Sequence, residues 1–211
     1  MLALLHTSQT HVPVFDALRD EDHPGLELRH FVDEELLERA GREGPEAVTE
    51  DVRAILGEAV AQGARAVLCT CSTIGAVAES AEVGVPVLRV DRPMAAAAIA
   101  AGPRVVVLAT VESTFGPTVA LVEEEARRAG RAVIVRTVLV EGAWEHFQAG
   151  DGEAYARRIA AAADTVTDAD AIILAQASMT PAQRLTSTTV PVLSSPRPGL
   201  TAGAGAADQV G

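Results

Sequence analysis

The chain has 211 residues, of which 48% are apolar and only 3% aromatic, and it carries 17 Lys and Arg against 29 Asp and Glu for a formal net charge of −12. That acidic balance excludes the basic surface that nucleic-acid binding requires, and no apolar run approaches the ~20 residues needed to cross a bilayer. An apolar fraction built from Ala, Val and Leu with few aromatics suits sheets covered by helices better than a β-sandwich.

In chain order, Leu2–Leu5 reads as a buried strand running into the polar loop His6–Thr7–Ser8, and His11–Leu18 has a short helical spacing. Leu26–Val32 alternates as a second strand and closes at Asp33–Glu34. Between Pro45 and Gln62, the residues Ala47, Val48, Val52, Ile55, Leu56, Ala59 and Val60 recur at the spacing of an amphipathic helix, which Gly63 is placed to end. Ala66–Cys69 is a short apolar strand leading into Thr70–Cys71–Ser72–Thr73 and a helix-like stretch to about Ser80. Pro86–Val90 predicts another strand, and Pro93–Ala101 a helix opened by proline. The order then recurs: strand at Arg104–Ala109, helix at Thr118–Ala129, strand at Ala132–Val140, helix at Gly152–Val166, strand at Ala171–Ala175, a short helix near Thr180–Pro181, and strand at Pro191–Leu193. The tail from Ser194 is rich in Gly, Ala and Pro, and predicts one weak helix or little order.

An internal repeat organises this pattern. At an offset of 105, Val67–Leu88 lies over Ile172–Leu193, so that Val85–Pro86–Val87–Leu88 falls on Val190–Pro191–Val192–Leu193 without a gap. Cys71 then falls on Gln176, Ser72 on Ala177 and Thr73 on Ser178. The opening strands match at an offset of 103, with Leu5–His6–Thr7 near Leu108–Ala109–Thr110. A duplicated α/β lobe accounts for the order of strands, turns and helices around these matches, and strands alternating with helices imply parallel sheets with right-handed crossovers.

In open parallel sheets, ligands bind at the carboxyl ends of the strands. Those ends carry Thr7–Ser8, Thr70 to Thr73, Thr110 with Ser113 and Thr114, and Gln176–Ala177–Ser178. Neither a GxGxxG nor a GxxxxGK[ST] motif is present, so no dinucleotide or P-loop site is expected, and no His, Cys or Asp cluster has a metal-ligand spacing. What remains is a set of small donors suited to holding a carboxylate.

Cys71–Ser72–Thr73, just after a buried strand, resembles the Cys-Asn-Thr motif of the aspartate/glutamate/hydantoin racemase superfamily. Leu174–Ala175–Gln176–Ala177–Ser178 sits where that family carries its second motif, Gly-Cys-Thr. The resemblance spans nearly the whole chain. It implies two pseudo-symmetric flavodoxin-like lobes with the active site in the cleft between them, and catalysis without cofactor or metal by two cysteines acting on opposite faces of a carbon next to a carboxylate. It makes Cys71 one of that pair, as base or nucleophile. Its pKa is expected to fall below the usual ~8.5 through the helix start that follows it. It further implies that Thr7, Ser8, Ser72, Thr73, Thr110, Ser113, Thr114, Gln176, Ala177 and Ser178 bind a small acid: an amino acid, a hydantoin or a dicarboxylate. The lobes are expected at 1–95 with 191–211, and at 96–190, because the last strand resembles the one that returns to the first lobe in this family. A homo-oligomer is expected, with no nucleic-acid or membrane partner.

The sequence departs from the family at Gln176, since an amide has no proton to transfer. A single-cysteine decarboxylase, a cis–trans isomerase of the same superfamily and a non-catalytic carboxylate-binding relic therefore stay open beside racemisation. Cys69 is expected to be a core thiol, too near Cys71 in sequence to be a good disulfide partner, and a reduced, soluble, cytoplasmic protein is expected. With no basic n-region followed by an apolar h-region, secretion is not expected. His6 stands either as a group titrating near neutrality or as a structural histidine. Asp33–Glu34 reads as an acid pair at a helix start, Glu123–Glu124–Glu125 as a solvated helix face, and Trp144 with Phe147 as lobe packing.

Overall fold

The computed structural model describes residues 1–209; the last two residues of the expected tail, 210 and 211, lie outside the described residues. The chain divides into two compact units, Met1–Asp91 with the segment from Pro196 onward, and Arg92–Ser195. Each is a four-stranded, fully parallel sheet.

The first unit runs β1 (Leu2–His6), α1 (Val12–Asp22), β2 (Leu28–Val32), α2 (Glu35–Glu43), α3 (Thr49–Ala61), β3 (Ala66–Cys69), α4 (Gly75–Glu79) and β4 (Val87–Arg89), with sheet order β2-β1-β3-β4. β1 and β3 are buried throughout, as central parallel strands covered on both faces must be. Ala3, Leu5, Val67 and Cys69 pack with α2, α3 and α4, whereas Leu2, Leu4, Ala66 and Leu68 face Phe15 of α1 and Leu200 and Ala207 of the C-terminal helix. Alternation along each strand thus feeds two cores.

The second unit runs α5 (Arg92–Ala101), β5 (Arg104–Ala109), α6 (Phe115–Arg128), β6 (Ile134–Leu139), α7 (Ala143–Gln148), α8 (Gly152–Asp164), β7 (Ala171–Leu174) and β8 (Val192–Leu193), with sheet order β6-β5-β7-β8. Val105, Val107, Ala171 and Ile173 pack against α5 and α6, and Val106, Leu108, Ile172 and Leu174 against α7 and α8. The last helix, α9 (Pro196–Gln209), belongs to the first unit.

The repeat is visible in the hydrogen bonding. Val67 pairs with Val87 and Leu68 with Leu88; 105 residues later, Ile172 pairs with Val192 and Ile173 with Leu193. The N–H of Val67 donates to the carbonyl of Pro86 at 2.9 Å, and that of Ile172 to the carbonyl of Pro191 at 2.8 Å. Same-register pairing in both sheets is what a duplicated unit requires.

Several expectations need correction. Residues 191–195 belong to the second unit, because β8 hydrogen-bonds to β7. The chain leaves the first unit at Asp91 rather than at residue 95, since Met94, Ala95, Ala98 and Ile99 of α5 are buried against the second sheet. Of the two expectations for the tail, one helix holds and little order does not: Pro196–Gln209 form a single fourteen-residue helix. Its Gly and Ala permit close approach: a Cβ on Gly199 would lie 2.5 Å from the carbonyl oxygen of Val90. Glu124 and Glu125 are not simply solvated; both pair with Arg92 of α5. Two helices are additional to those expected, α2 and α7. No helix among the described residues is long and apolar enough to cross a membrane.

Candidate active site

In the first unit the carboxyl ends of the two central strands carry Thr7–Ser8 and Thr70 to Thr73. Cys69 is fully buried, whereas Cys71, two residues on and past the strand, keeps 8% of its surface exposed. Burial pushes the Cys69 thiol well above the ordinary range, and the neighbouring Cys71 adds to the shift. Of the two thiols, both buried, only Cys71 keeps any exposed surface. Ser72 and Thr73 follow it, half-buried, in a turn. The helix expected to start at once begins only at Gly75 and is five residues long, so the turn, not a helix terminus, surrounds the thiol.

Beneath that turn lies a feature the sequence reading missed. Arg89, at the end of β4 and in register with Cys69, is buried with Asp91. The Arg89 guanidinium donates from Nε to Asp91 Oδ1 at 2.7 Å and from Nη2 to Asp91 Oδ2 at 2.9 Å. This is the bidentate geometry that suits a buried pair. Nη2 also lies 3.5 Å from the Ser72 carbonyl oxygen. Gly75 makes room: a Cβ there would sit 3.1 Å from Arg89 Nε. An arginine at the end of an apolar strand, two residues before an aspartate, was the available signal.

His6 closes β1 but does not serve as a titrating group near neutrality. Thr70 Oγ1 donates to the Leu5 carbonyl at 3.1 Å, so it accepts from His6 Nδ1 at 2.8 Å. Nε2 of His6 faces His30 Nδ1 at 2.9 Å. Desolvation first, then the neighbouring His30 and His11, lower its pKa to about 3. It is a neutral structural histidine tying β1 to the turn after β3. Thr7 is buried, and Ser8 caps the short 3-10 turn Gln9–His11, accepting from the Thr10 N–H at 3.4 Å. Asp33 accepts from the Glu35 N–H at 3.0 Å and Glu34 from the Gln9 N–H at 3.1 Å, so the acid pair serves the start of α2 and the loop beside it.

In the second unit, Gln176 and Thr110 stand at the ends of the adjacent strands β7 and β5. Gln176 Oε1 accepts from the Thr110 N–H at 2.7 Å and from its hydroxyl at 2.9 Å. The Tyr155 hydroxyl of α8 lies 3.3 Å from Thr110 Oγ1 and 2.9 Å from Ser178 Oγ. Thr110, Gln176 and Ser178 are thus brought together, with Tyr155 as a fourth member that the sequence reading did not single out. Burial raises the Tyr155 pKa against the lowering effect of its hydrogen bonds to Ser178 and Thr110. Ala177 opens the 3-10 helix Ala177–Arg184. Ser113 is exposed on the 3-10 turn Glu112–Thr114, and Thr114 is buried with its carbonyl accepting from Thr118; neither joins the Thr110–Gln176 cluster. Trp144 stacks on Phe147 at 4.9 Å between centroids, and Phe147 packs on Tyr155 at 5.2 Å. Among the described residues, no group of three or more His, Cys, Asp or Glu is arranged to hold a metal ion.

Two α/β units, each a parallel sheet with hydroxyls and one thiol or amide at the ends of its central strands, define a protein of duplicated flavodoxin-like architecture. The profile of the Asp/Glu/Hydantoin racemase family matches residues 4–202, and the chain belongs to that family. Solved structures agree in fold. A glutamate racemase isoform from Bacillus anthracis superposes with a TM-score of 0.72 at 17% identity, over 100% of this chain and 82% of that one. Allantoin racemase from Pseudomonas fluorescens gives 0.60 at 20% identity over 97% and 89%. An arylmalonate decarboxylase gives 0.63 at 19% identity over 98% and 91%. No curated protein matches the chain in sequence.

Proposed function

We propose that the protein is a cofactor-independent enzyme that transfers a proton at a carbon next to the carboxylate of a small acid, with Cys71 as its single thiol base. The observation that supports this is the asymmetry of the repeat. One thiol with exposed surface follows β3, and an amide already bonded to Thr110 occupies the matching position after β7. The Cys71 thiolate takes the α-proton, leaving an enediolate whose oxygens are held by Ser72, Thr73, Ala177 and Ser178 through backbone or hydroxyl donors. Thr7 and Ser8 contribute to carboxylate binding, and Thr110 acts through Gln176, to which it gives both its donors. The same sulfur returns a proton or a solvent deuteron. Gln176 cannot supply one from the opposite face, so exchange proceeds with retention and without fast racemisation.

The test is a panel of amino acids, dicarboxylates, hydantoins and disubstituted malonates in deuterated buffer, read by α-carbon exchange and chiral chromatography. Cys71→Ala is expected to abolish exchange, and Gln176→Cys to create or increase racemisation. Unaltered turnover in Cys71→Ala would remove the thiol from the mechanism. A second reading, a decarboxylase in which the thiol protonates the carbanion left by carbon dioxide, draws on the same single thiol and predicts gas release from the malonates. A relic without catalysis would bind members of the panel and exchange none.

A further inference from the structure

We propose that Gln176 is a substrate-binding amide whose nitrogen is aimed outward by a clamp of Thr110 and Tyr155, giving the end of β7 a fixed donor for an anionic carboxylate or enediolate oxygen. The inference rests on the carboxylate-directed reading above and assigns the chemistry of one position within it.

The orientation of the amide follows from hydrogen bonding. A backbone N–H can only donate, so the Gln176 atom 2.7 Å from the Thr110 nitrogen is the oxygen. The Thr110 hydroxyl supplies a second donor to the same oxygen at 2.9 Å. With both acceptor positions of Oε1 occupied by one residue of the neighbouring strand, the amide plane is set. Nε2 has no hydrogen-bond partner among the described residues. Nor is it sealed inside, because His11 Nδ1 is the one fully shielded, unpartnered side-chain nitrogen or oxygen among them.

Tyr155 completes the clamp. The Thr110 hydroxyl proton is committed to Gln176, so toward Tyr155 that oxygen can only accept. The phenol is 2% exposed, packed on Phe147 and tied to Ser178 at 2.9 Å. Its raised pKa keeps it a protonated donor through the physiological range. Tyr155 is therefore a positioning residue, acting on Gln176 through Thr110. An amide with its oxygen spent internally shows only N–H groups to a ligand. It favours an acceptor oxygen and leaves a donor facing it unpaired, and it stabilises negative charge without moving a proton.

The experiment uses the full chain labelled with nitrogen-15, with the Gln176 side-chain amide assigned by its loss in Gln176→Met. Malonate, L-aspartate and D-aspartate are titrated in, with malonamide as the uncharged control. A carboxylate should shift both Gln176 amide protons in a saturable way, and malonamide should not. Gln176→Met should weaken carboxylate binding about tenfold or more, the scale of a hydrogen bond to a charged group. Gln176→Glu, nearly the same shape, should weaken it further by placing an anion outward. Tyr155→Phe should weaken it less and move the Gln176 amide resonances toward those of a free amide before any ligand is added. Carboxylate binding that shifts the Ser72 and Thr73 amides, while the Gln176 amide stays still and Gln176→Met binds as well as wild type, would overturn the inference and leave the carboxylate reading intact. No response to any carboxylate would remove both.

Discussion

Arg89→Met isolates the buried ion pair under the Cys71 turn. The substitution keeps an unbranched side chain of similar reach but leaves the Asp91 carboxylate, fully buried, without the two bonds at 2.7 and 2.9 Å that now neutralise it. Breaking a buried pair on one side costs about 3–5 kcal/mol, because the remaining charge is uncompensated. Asp91→Leu should cost a similar amount by orphaning the guanidinium. The double variant Arg89→Met, Asp91→Leu buries no charge, and replacing both partners by apolar groups is often neutral or better. It is therefore expected to recover most of the loss. Urea denaturation followed by far-UV circular dichroism measures all four proteins. With an m value of about 1–3 kcal/mol per molar, each single variant should lose at least about 1 M in midpoint. A single-variant loss below about 1 kcal/mol, or a double variant as weak as either single one, would refute the reasoning. Iodoacetamide labelling of Cys71 in the double variant then reads whether the turn depends on the guanidinium itself. Labelling faster than in wild type is the expected result, since the Ser72 carbonyl contact and the packing against Gly75 are lost with Arg89.

Other outcomes follow from His6 and from α9. His6 is neutral in the fold down to about pH 3, whereas an unfolded histidine takes a proton near 6.5, so between those values the unfolded chain holds one proton more. Its contribution is fully present above pH 6.5 and falls by up to about 1.4 kcal/mol per pH unit as the pH drops. Urea stability from pH 7 to 5 should therefore decline more steeply in wild type than in His6→Asn, and equal slopes would refute the assignment. In α9, Gly199→Ala drives a methyl to 2.5 Å from Val90 Cγ2 and its carbonyl oxygen and should cost at least about 1–3 kcal/mol. Gly205→Ala meets nothing within 4 Å and should gain up to about 1 kcal/mol from helix propensity; thermal melts that fail to order the two variants this way would contradict the packing described.

The duplicated sheet was legible because period-2 and period-3.6 apolar patterns survive in buried parallel strands and their covering helices. The offset that lays Val190–Leu193 over Val85–Leu88 also carries the right owner for β8, since each string pairs with the strand after which it returns. The contrary expectation followed the family's chain path instead of the repeat. α2 escaped notice because only Leu36 and Ala40 of its nine residues are buried, too few to set a period. The Pro196–Gln209 helix stood beside a disordered alternative because of its composition: small residues that suggest disorder are required where Gly199 meets Val90 and Gly203 meets Leu2. In the candidate site, Cys71 and Gln176 were readable as positions at strand ends. Tyr155 was not, because a tyrosine's hydroxyl partners depend on which helix face meets which strand. Arg89 ends the last strand of its sheet and Asp91 follows two residues later, yet their value lies in their burial, which a charged residue type argues against.

The two units differ in how they are completed during synthesis. Residues 92–195 form a continuous stretch and can fold once the last of them emerges. The first unit cannot, because α9 covers Leu2, Leu4 and Leu68 on one face of its sheet and is made after the whole of the second unit. At about 5–20 residues per second, that face waits on the order of 5–20 s with its central strands translated and no helix over part of them. A nascent chain stalled between the units is therefore the form of this protein expected to need a chaperone most. Covering the exposed face by moving α9 ahead of β1 in a circular permutant would remove the wait.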